Sequence, residues 1–127
     1  MLSTPVKTKV EIVEDEISIA HMYRFKLENE GFNVEVSYNG EDGLKRAESF
    51  LPDLILLDLK MPIMPGDIML EHLRSTDWGS SIKVIVLTNI SKDEAPARLR
   101  FLGVDRYIVK AHHTPQQLVD IIREVLI

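Results

Sequence analysis

Leu54-Ile55-Leu56-Leu57-Asp58-Leu59-Lys60-Met61-Pro62 passes from four bare aliphatic residues to a carboxylate with no transition. The apolar part is too short for a helix and does not alternate with polar residues. It reads as a strand buried on both faces of a parallel sheet. Three further stretches end the same way, each on a different polar group. Val10–Val13 runs into Glu14 and Asp15, Ile82–Leu87 into Thr88, and Arg106–Val109 into Lys110. Parallel strands share one direction, so these endings should meet at one edge, where open α/β sheets place their ligand sites. Three carboxylates, a hydroxyl and an ammonium gathered there describe a place to bind a hard cation and handle a phosphoryl group.

Outward from that run, the chain alternates strand and helix. Residues 1–8 form a loose leader and Lys9–Val13 the first strand. Ile17–Asn29 is helical and closed by Gly31, and Phe32–Ser37 is a short strand. Asn39 is placed to cap a helix over Glu41–Phe50, which Pro52 ends. After Leu54–Leu57 comes a loop rich in turn residues, Met61-Pro62-Ile63-Met64-Pro65-Gly66, then a helix from Asp67 to Ser75. Ser91-Lys92-Asp93-Glu94 and Thr114-Pro115-Gln116-Gln117 both carry the capping-box pattern, predicting helices over 92–102 and 115–126. Pro115 suits the first helical position, whereas Pro96 falls near the fifth, where it removes an intrahelical bond. The last helix carries an apolar stripe (Leu118, Val119, Ile121, Ile122, Val125, Leu126) that should face the sheet.

The pattern predicts an α/β three-layer sandwich with five helices. Its five-stranded parallel sheet, in order 2-1-3-4-5, has the flavodoxin-like arrangement. One domain spans residues 1–127, as the length prior suggests. Glu11 conflicts with this picture, because a lone carboxylate inside a central strand is expensive. It is expected near the open end of the strand or paired with Lys9 or Lys83.

Composition narrows the function. The chain has no cysteine, which excludes disulfides and thiolate metal sites, and its four histidines show no metal-ligand spacing. No stretch nears the roughly 20 apolar residues that cross a bilayer, so a membrane association is not expected. A net charge of −5 and a pI near 5.3 argue against nucleic-acid binding by this domain. A reduced, cytoplasmic setting fits best.

Asp58 is the pivot of the chemistry. A carboxylate at the end of a buried strand can attack phosphorus and form an acyl phosphate. The residues after it are kept extended by Pro62, so it is not simply a helix cap. Glu14 and Asp15 would repel each other and Asp58 unless a cation intervened; magnesium, which prefers oxygen ligands, resolves the conflict, and manganese could substitute. Taken alone, Asp15 reads as the cap of helix Ile17–Asn29, but beside Asp58 on the neighbouring strand it reads as a metal ligand; Glu16 reads as a favourable first-turn charge. Lys110 can meet a phosphoryl oxygen as a point charge, and Thr88 can donate its hydroxyl to another. Phosphoryl transfer asks little of a protein beyond positioning and charge neutralisation.

With these residues in place, the chain resembles the receiver domains of two-component response regulators from about Lys7 to Ile127. The matching pieces are Val13-Glu14-Asp15-Glu16, Leu57-Asp58-Leu59-Lys60-Met61-Pro62 with Gly66, Val86-Leu87-Thr88, and Tyr107-Ile108-Val109-Lys110. The resemblance implies that Glu14, Asp15 and Asp58 bind magnesium, with the Lys60 backbone carbonyl as a further ligand. It implies that Asp58 takes phosphate from a phosphohistidine on a histidine kinase or histidine phosphotransfer protein. Thr88 would then move toward the phosphate, Lys110 would pair with it, and Tyr107 would change rotamer. The result would be a signalling switch in a phosphorelay, catalysing only its own phosphorylation and dephosphorylation. Its face formed by helix 92–102, strand 106–109 and helix 115–126 would engage a downstream protein partner, or an output domain that this sequence does not contain.

Three positions depart from the family pattern. Ala111 follows Lys110 where the family has a proline in a cis peptide; cis costs roughly 3–4 kcal/mol without proline, so this peptide is either trans or strained. Asn89 stands in place of a small residue and could narrow access to Asp58. Lys60 could set a cation near the phosphoryl group, or be a solvated loop lysine. Two other functions are weighed against the switch. A phosphorylation-independent interaction module is supported only by Asn89 and Ala111. A metal-dependent phosphohydrolase is disfavoured because Lys60 stands where a second acid is wanted.

Overall fold

The computed structural model describes residues 6–127. Five strands, β1 (Lys9–Val13), β2 (Asn33–Ser37), β3 (Leu54–Leu57), β4 (Lys83–Thr88) and β5 (Arg106–Val109), form one parallel sheet in the order β2-β1-β3-β4-β5. The first five residues of the expected leader lie outside the described residues; Val6–Thr8 have no regular structure. Four α-helices accompany the sheet: α1 (Ile17–Asn29), α2 (Gly40–Phe50), α3 (Gly66–Arg74) and α4 (Pro115–Val125).

The expected fifth helix is absent. Residues 92–102 form two short 3₁₀ turns, Lys92–Glu94 and Ala97–Phe101. Between them Ala95 and Pro96 are extended, with ψ of 150° and 131°. The cause is Pro96, whose ring pushes the preceding residue out of the helical region. Ser91 consequently makes no side-chain cap bond, whereas Thr114 completes its full capping box with Gln117. At α1, Glu16 rather than Asp15 is the N-cap residue, and no side chain caps the helix.

The apolar residues divide into two layers, one on each face of the sheet. Val10, Ile12, Leu54, Leu56 and Ile85 pack with Leu27 of α1 and with Leu118, Val119 and Ile122 of α4. Val13, Ile55, Leu57, Val84 and Val86 pack with Met69, Leu70 and Leu73 of α3 and Ala47 of α2. Trp78 is half-buried against this second layer. All four residues of β3 are buried, as the bare apolar run requires of a strand covered on both faces.

Glu11 departs from expectation. It is completely buried and pairs with neither Lys9 nor Lys83. Lys9 donates to the Phe50 carbonyl at 2.9 Å, and Lys83 lies 3.9 Å from Asp105.

Candidate functional site

Register brings the acids together. Val13, the last residue of β1, stands beside Leu57, the last of β3. The residues that follow, Glu14 and Asp58, therefore emerge side by side. The Asp58 N–H donates to the Val13 carbonyl at 3.0 Å, and the Glu14 N–H donates to the Ser37 carbonyl of β2 at 3.0 Å. A carboxylate oxygen from each of Glu14, Asp15 and Asp58 falls within 4.8 Å of the others. Glu14 and Asp58 are buried, at 3% and 7% exposure, so their charges feel one another with little screening from water.

Lys110 crosses from the other side of the sheet. It begins the 3₁₀ turn Lys110–His112 after β5, and its ammonium donates to Asp58 Oδ2 at 3.0 Å and to Glu14 Oε1. Burial works against its charge, but the hydrogen bonds and charges of the two acids prevail and hold Lys110 above its ordinary pKa. Burial pushes the Glu14 carboxyl up, opposed by its bonds to Lys110 and to the Glu16 N–H at 3.1 Å. The remaining Asp58 oxygen, Oδ1, accepts the Leu59 N–H at 2.7 Å. The Lys110–Ala111 peptide is trans, as are all others among the described residues, which resolves the alternative left by the missing proline.

Behind Asp58 the loop is closed tightly. The Gly66 N–H donates to the Leu59 carbonyl at 2.9 Å, and a Cβ at Gly66 would lie 2.0 Å from the Asp58 carbonyl oxygen. Only glycine allows that approach. The fold also brings Thr88, 1% exposed at the end of β4, to the same sheet edge. Its Oγ1 accepts the Ile90 N–H at 3.4 Å. Tyr107 is half-buried in β5, and its hydroxyl donates to the Ile90 carbonyl at 2.7 Å. It thereby ties the strand to the segment after Thr88. Lys60 and Asn89 are both exposed on loops that leave this edge, after β3 and β4 respectively.

Sequence reading missed Ser37. It ends β2 as Thr88 ends β4, at the same edge where Glu14 and Asp58 follow β1 and β3, and its carbonyl fixes the Glu14 backbone. The signal was present in Asn33-Val34-Glu35-Val36-Ser37, a fifth strand with a polar ending. The donor set at this edge consists entirely of oxygens, which suits a hard divalent cation such as magnesium. No helix among the described residues is long and apolar enough to cross a membrane.

Comparison with known proteins agrees with this geometry. A family model for the response regulator receiver domain matches residues 10–123. The chain is 36% identical over 119 residues to the response regulator ArlR of Staphylococcus aureus, an alignment covering 94% of this chain and 52% of that protein. It is 32% identical over 108 residues to the phosphate regulon transcriptional regulatory protein PhoB of Rhizobium meliloti, covering 85% and 48%. The chain thus spans about half the length of these curated relatives. Among solved structures, the chemotaxis response regulator CheY4 of Vibrio cholerae superposes with a TM-score of 0.87 at 27% identity, covering 95% of this chain and all of that one (100%). A CheY-like receiver domain protein from Methanospirillum hungatei gives a TM-score of 0.87 at 30% identity, with 95% and 94% covered. A sheet in order 2-1-3-4-5 with three acids and a lysine at its carboxyl edge, matched by the family model over nearly its whole length, makes this chain a member of the response regulator receiver domain family.

Proposed function

We propose that Asp58 accepts a phosphoryl group from a phosphohistidine and that the domain works as a phosphorylation switch. The observation that carries this reading is the convergence of Glu14, Asp15 and Asp58 on one point, with Lys110 bonded to two of them. An Asp58 oxygen attacks phosphorus, the P–N bond of the donor breaks, and the electron pair leaves with the imidazole. The product is an acyl phosphate, which water returns to the carboxylate and inorganic phosphate. Glu14, Asp15, Asp58 and the Lys60 carbonyl are the groups that would hold a divalent cation. Such an ion, when bound, offsets the negative charge of the acids and of the phosphoryl oxygens.

Phosphorylation removes the negative charge from Asp58 itself and places it on the phosphoryl oxygens. Lys110 then follows the charge outward, while Thr88 exchanges its contact with the Ile90 N–H for a phosphoryl oxygen. Both Thr88 and Tyr107 are bonded to Ile90, so a shift of the hydroxyl at one end releases the aromatic at the other. The segment 89–102, strand β5 and helix α4 would report that change to a downstream protein or output domain. Lys60 and Asn89, exposed beside the acids, would modulate access of donors and water.

The test is incubation with magnesium and a small acyl-phosphate donor, read by intact mass. The expected result is a gain of one phosphoryl group that Asp58→Asn abolishes and a chelator prevents. No gain, either from the small donor or from a phosphohistidine-bearing protein, would overturn the switch and favour the phosphorylation-independent module.

A further inference from the structure

The buried carboxyl of Glu11 is not used by the acid cluster and stands apart from it. Glu11 lies at the centre of β1 and has no solvent exposure. Register places it beside Glu35 of β2 and Ile55 of β3. Its Oε2 accepts the Ser37 hydroxyl at 3.3 Å, and Oε1 has no partner among the described residues. Ser37 Oγ in turn accepts from Arg46 Nε of α2 at 2.8 Å, while Arg46 Nη1 donates to Glu35 Oε1 at 2.8 Å.

Among the described residues, the charged groups near Glu11 come from its own strand and two neighbouring elements. Glu35 comes from β2 and Arg46 from α2, and Lys9 shares its face two residues earlier on β1. Lys9 is directed to the Phe50 carbonyl, and β3 contributes only the apolar Ile55. Among the described residues no cation touches Glu11 directly. An ionised carboxylate with one bare oxygen costs far more in such a place than a neutral acid. Burial pushes its pKa well above the usual carboxylate range; the Ser37 bond and Arg46 pull the other way, and Glu35 adds to the rise.

We propose that Glu11 is an internal proton-binding site: the folded domain keeps a neutral carboxylic acid in the middle of its sheet. When that proton leaves, Arg46 turns from Glu35 toward the new anion and loosens β2 and α2. The sign of the pH dependence follows. The unfolded chain releases this proton in the ordinary carboxylate range, and the folded chain only at higher pH. Between the two, the folded state holds one more proton, so stability falls as pH rises through that window and levels off above it. The weakness is local, because the Ser37 carbonyl that steadies Glu14 sits on the same strand end.

Carbon-detected NMR of the side-chain carboxyls of the native chain, titrated from about pH 4 to about pH 9, tests the idea directly. The Glu11 carboxyl should keep its proton to a pH above the range in which an ordinary carboxyl releases it. In parallel, the melting temperature of the wild type should fall relative to that of Glu11→Gln as pH rises. Amide exchange in β2 and α2 should quicken in the wild type alone. A Glu11 signal that inflects in the ordinary carboxylate range overturns the proposal, as do melting curves of the two proteins that stay parallel. If Glu11→Gln fails to fold, the carboxyl titration of the native chain alone decides.

Discussion

Two stretches of this chain carry nearly the same helix-start signature and meet opposite fates. Thr114-Pro115-Gln116-Gln117 opens α4, an eleven-residue helix whose cap is complete: the Thr114 hydroxyl accepts the Gln117 N–H at 3.1 Å and the Gln117 side chain accepts the Thr114 N–H at 2.8 Å. Ser91-Lys92-Asp93-Glu94 opens only a 3₁₀ turn, and its hydroxyl makes no cap bond. The proline makes the difference. Pro115 occupies the first helical position, where its missing N–H has no cost, whereas Pro96 forces Ala95 into an extended conformation just where the second turn would form. A cap signature therefore predicts a helix only if the next turn can follow it.

The two segments are also anchored differently. α4 buries Leu118, Val119 and Ile122 in the core. The 92–101 stretch buries Leu99 alone. Polar ties hold the rest of it: Tyr107 to the Ile90 carbonyl at one end, and Arg74 to the carbonyls of Leu102 and Gly103 at 2.8 and 2.9 Å at the other. Between them Arg98 lies 3.4 Å from Asp67 and 3.2 Å from Glu71, both on α3. A segment held by few apolar contacts and exposed ion pairs opens more readily than one held by core packing. That contrast fits a switch whose moving part is the stretch after Thr88.

Substitutions test this contrast, and chemical denaturation reads most of them. The largest loss should come from Ile122→Ala, which empties a fully buried site of α4 and should cost about 3–4 kcal/mol. Leu99→Ala should cost less, about 2 kcal/mol, because its site is nearer the surface and closes more easily. Equal losses would mean the two segments are equally anchored. Thr114→Ala should cost about 1 kcal/mol as a lost cap. Ser91→Ala should change stability by less than about 0.5 kcal/mol, since there is no cap bond to lose. Pro96→Ala should raise far-UV helical signal, and in that background Ser91→Ala should rise to about 1 kcal/mol. If Ser91→Ala stays silent there, proline is not what prevents the cap.

The gathering of the site residues at one edge was largely legible in the sequence. Parallel strands point one way, so Glu14, Asp15, Asp58, Thr88 and Lys110 could be placed at one edge from the positions of the apolar runs alone. Their partners could not be read in the same way. Lys110 bonding both Glu14 and Asp58 depends on how the turn after β5 folds back, and sequence spacing carries no information about that. The Glu11 environment depends on register: only the pairing of Glu11 with Glu35 brings Ser37 and Arg46 within reach, so the guess of Lys9 or Lys83 failed.

From the sequence alone came the strands and the acids that gather at the carboxyl edge, because those follow from local periodicity and from chain direction; the strand order came from the commonest right-handed topology, and the family from the resemblance of the motifs. The tertiary structure alone settled that Lys110 bonds both Glu14 and Asp58, where Glu11 finds its single partner, and that the segment after Thr88 is broken in two. Each of these turns on contacts between residues far apart in the chain, or on a balance between a cap that favours a helix and a proline that forbids it.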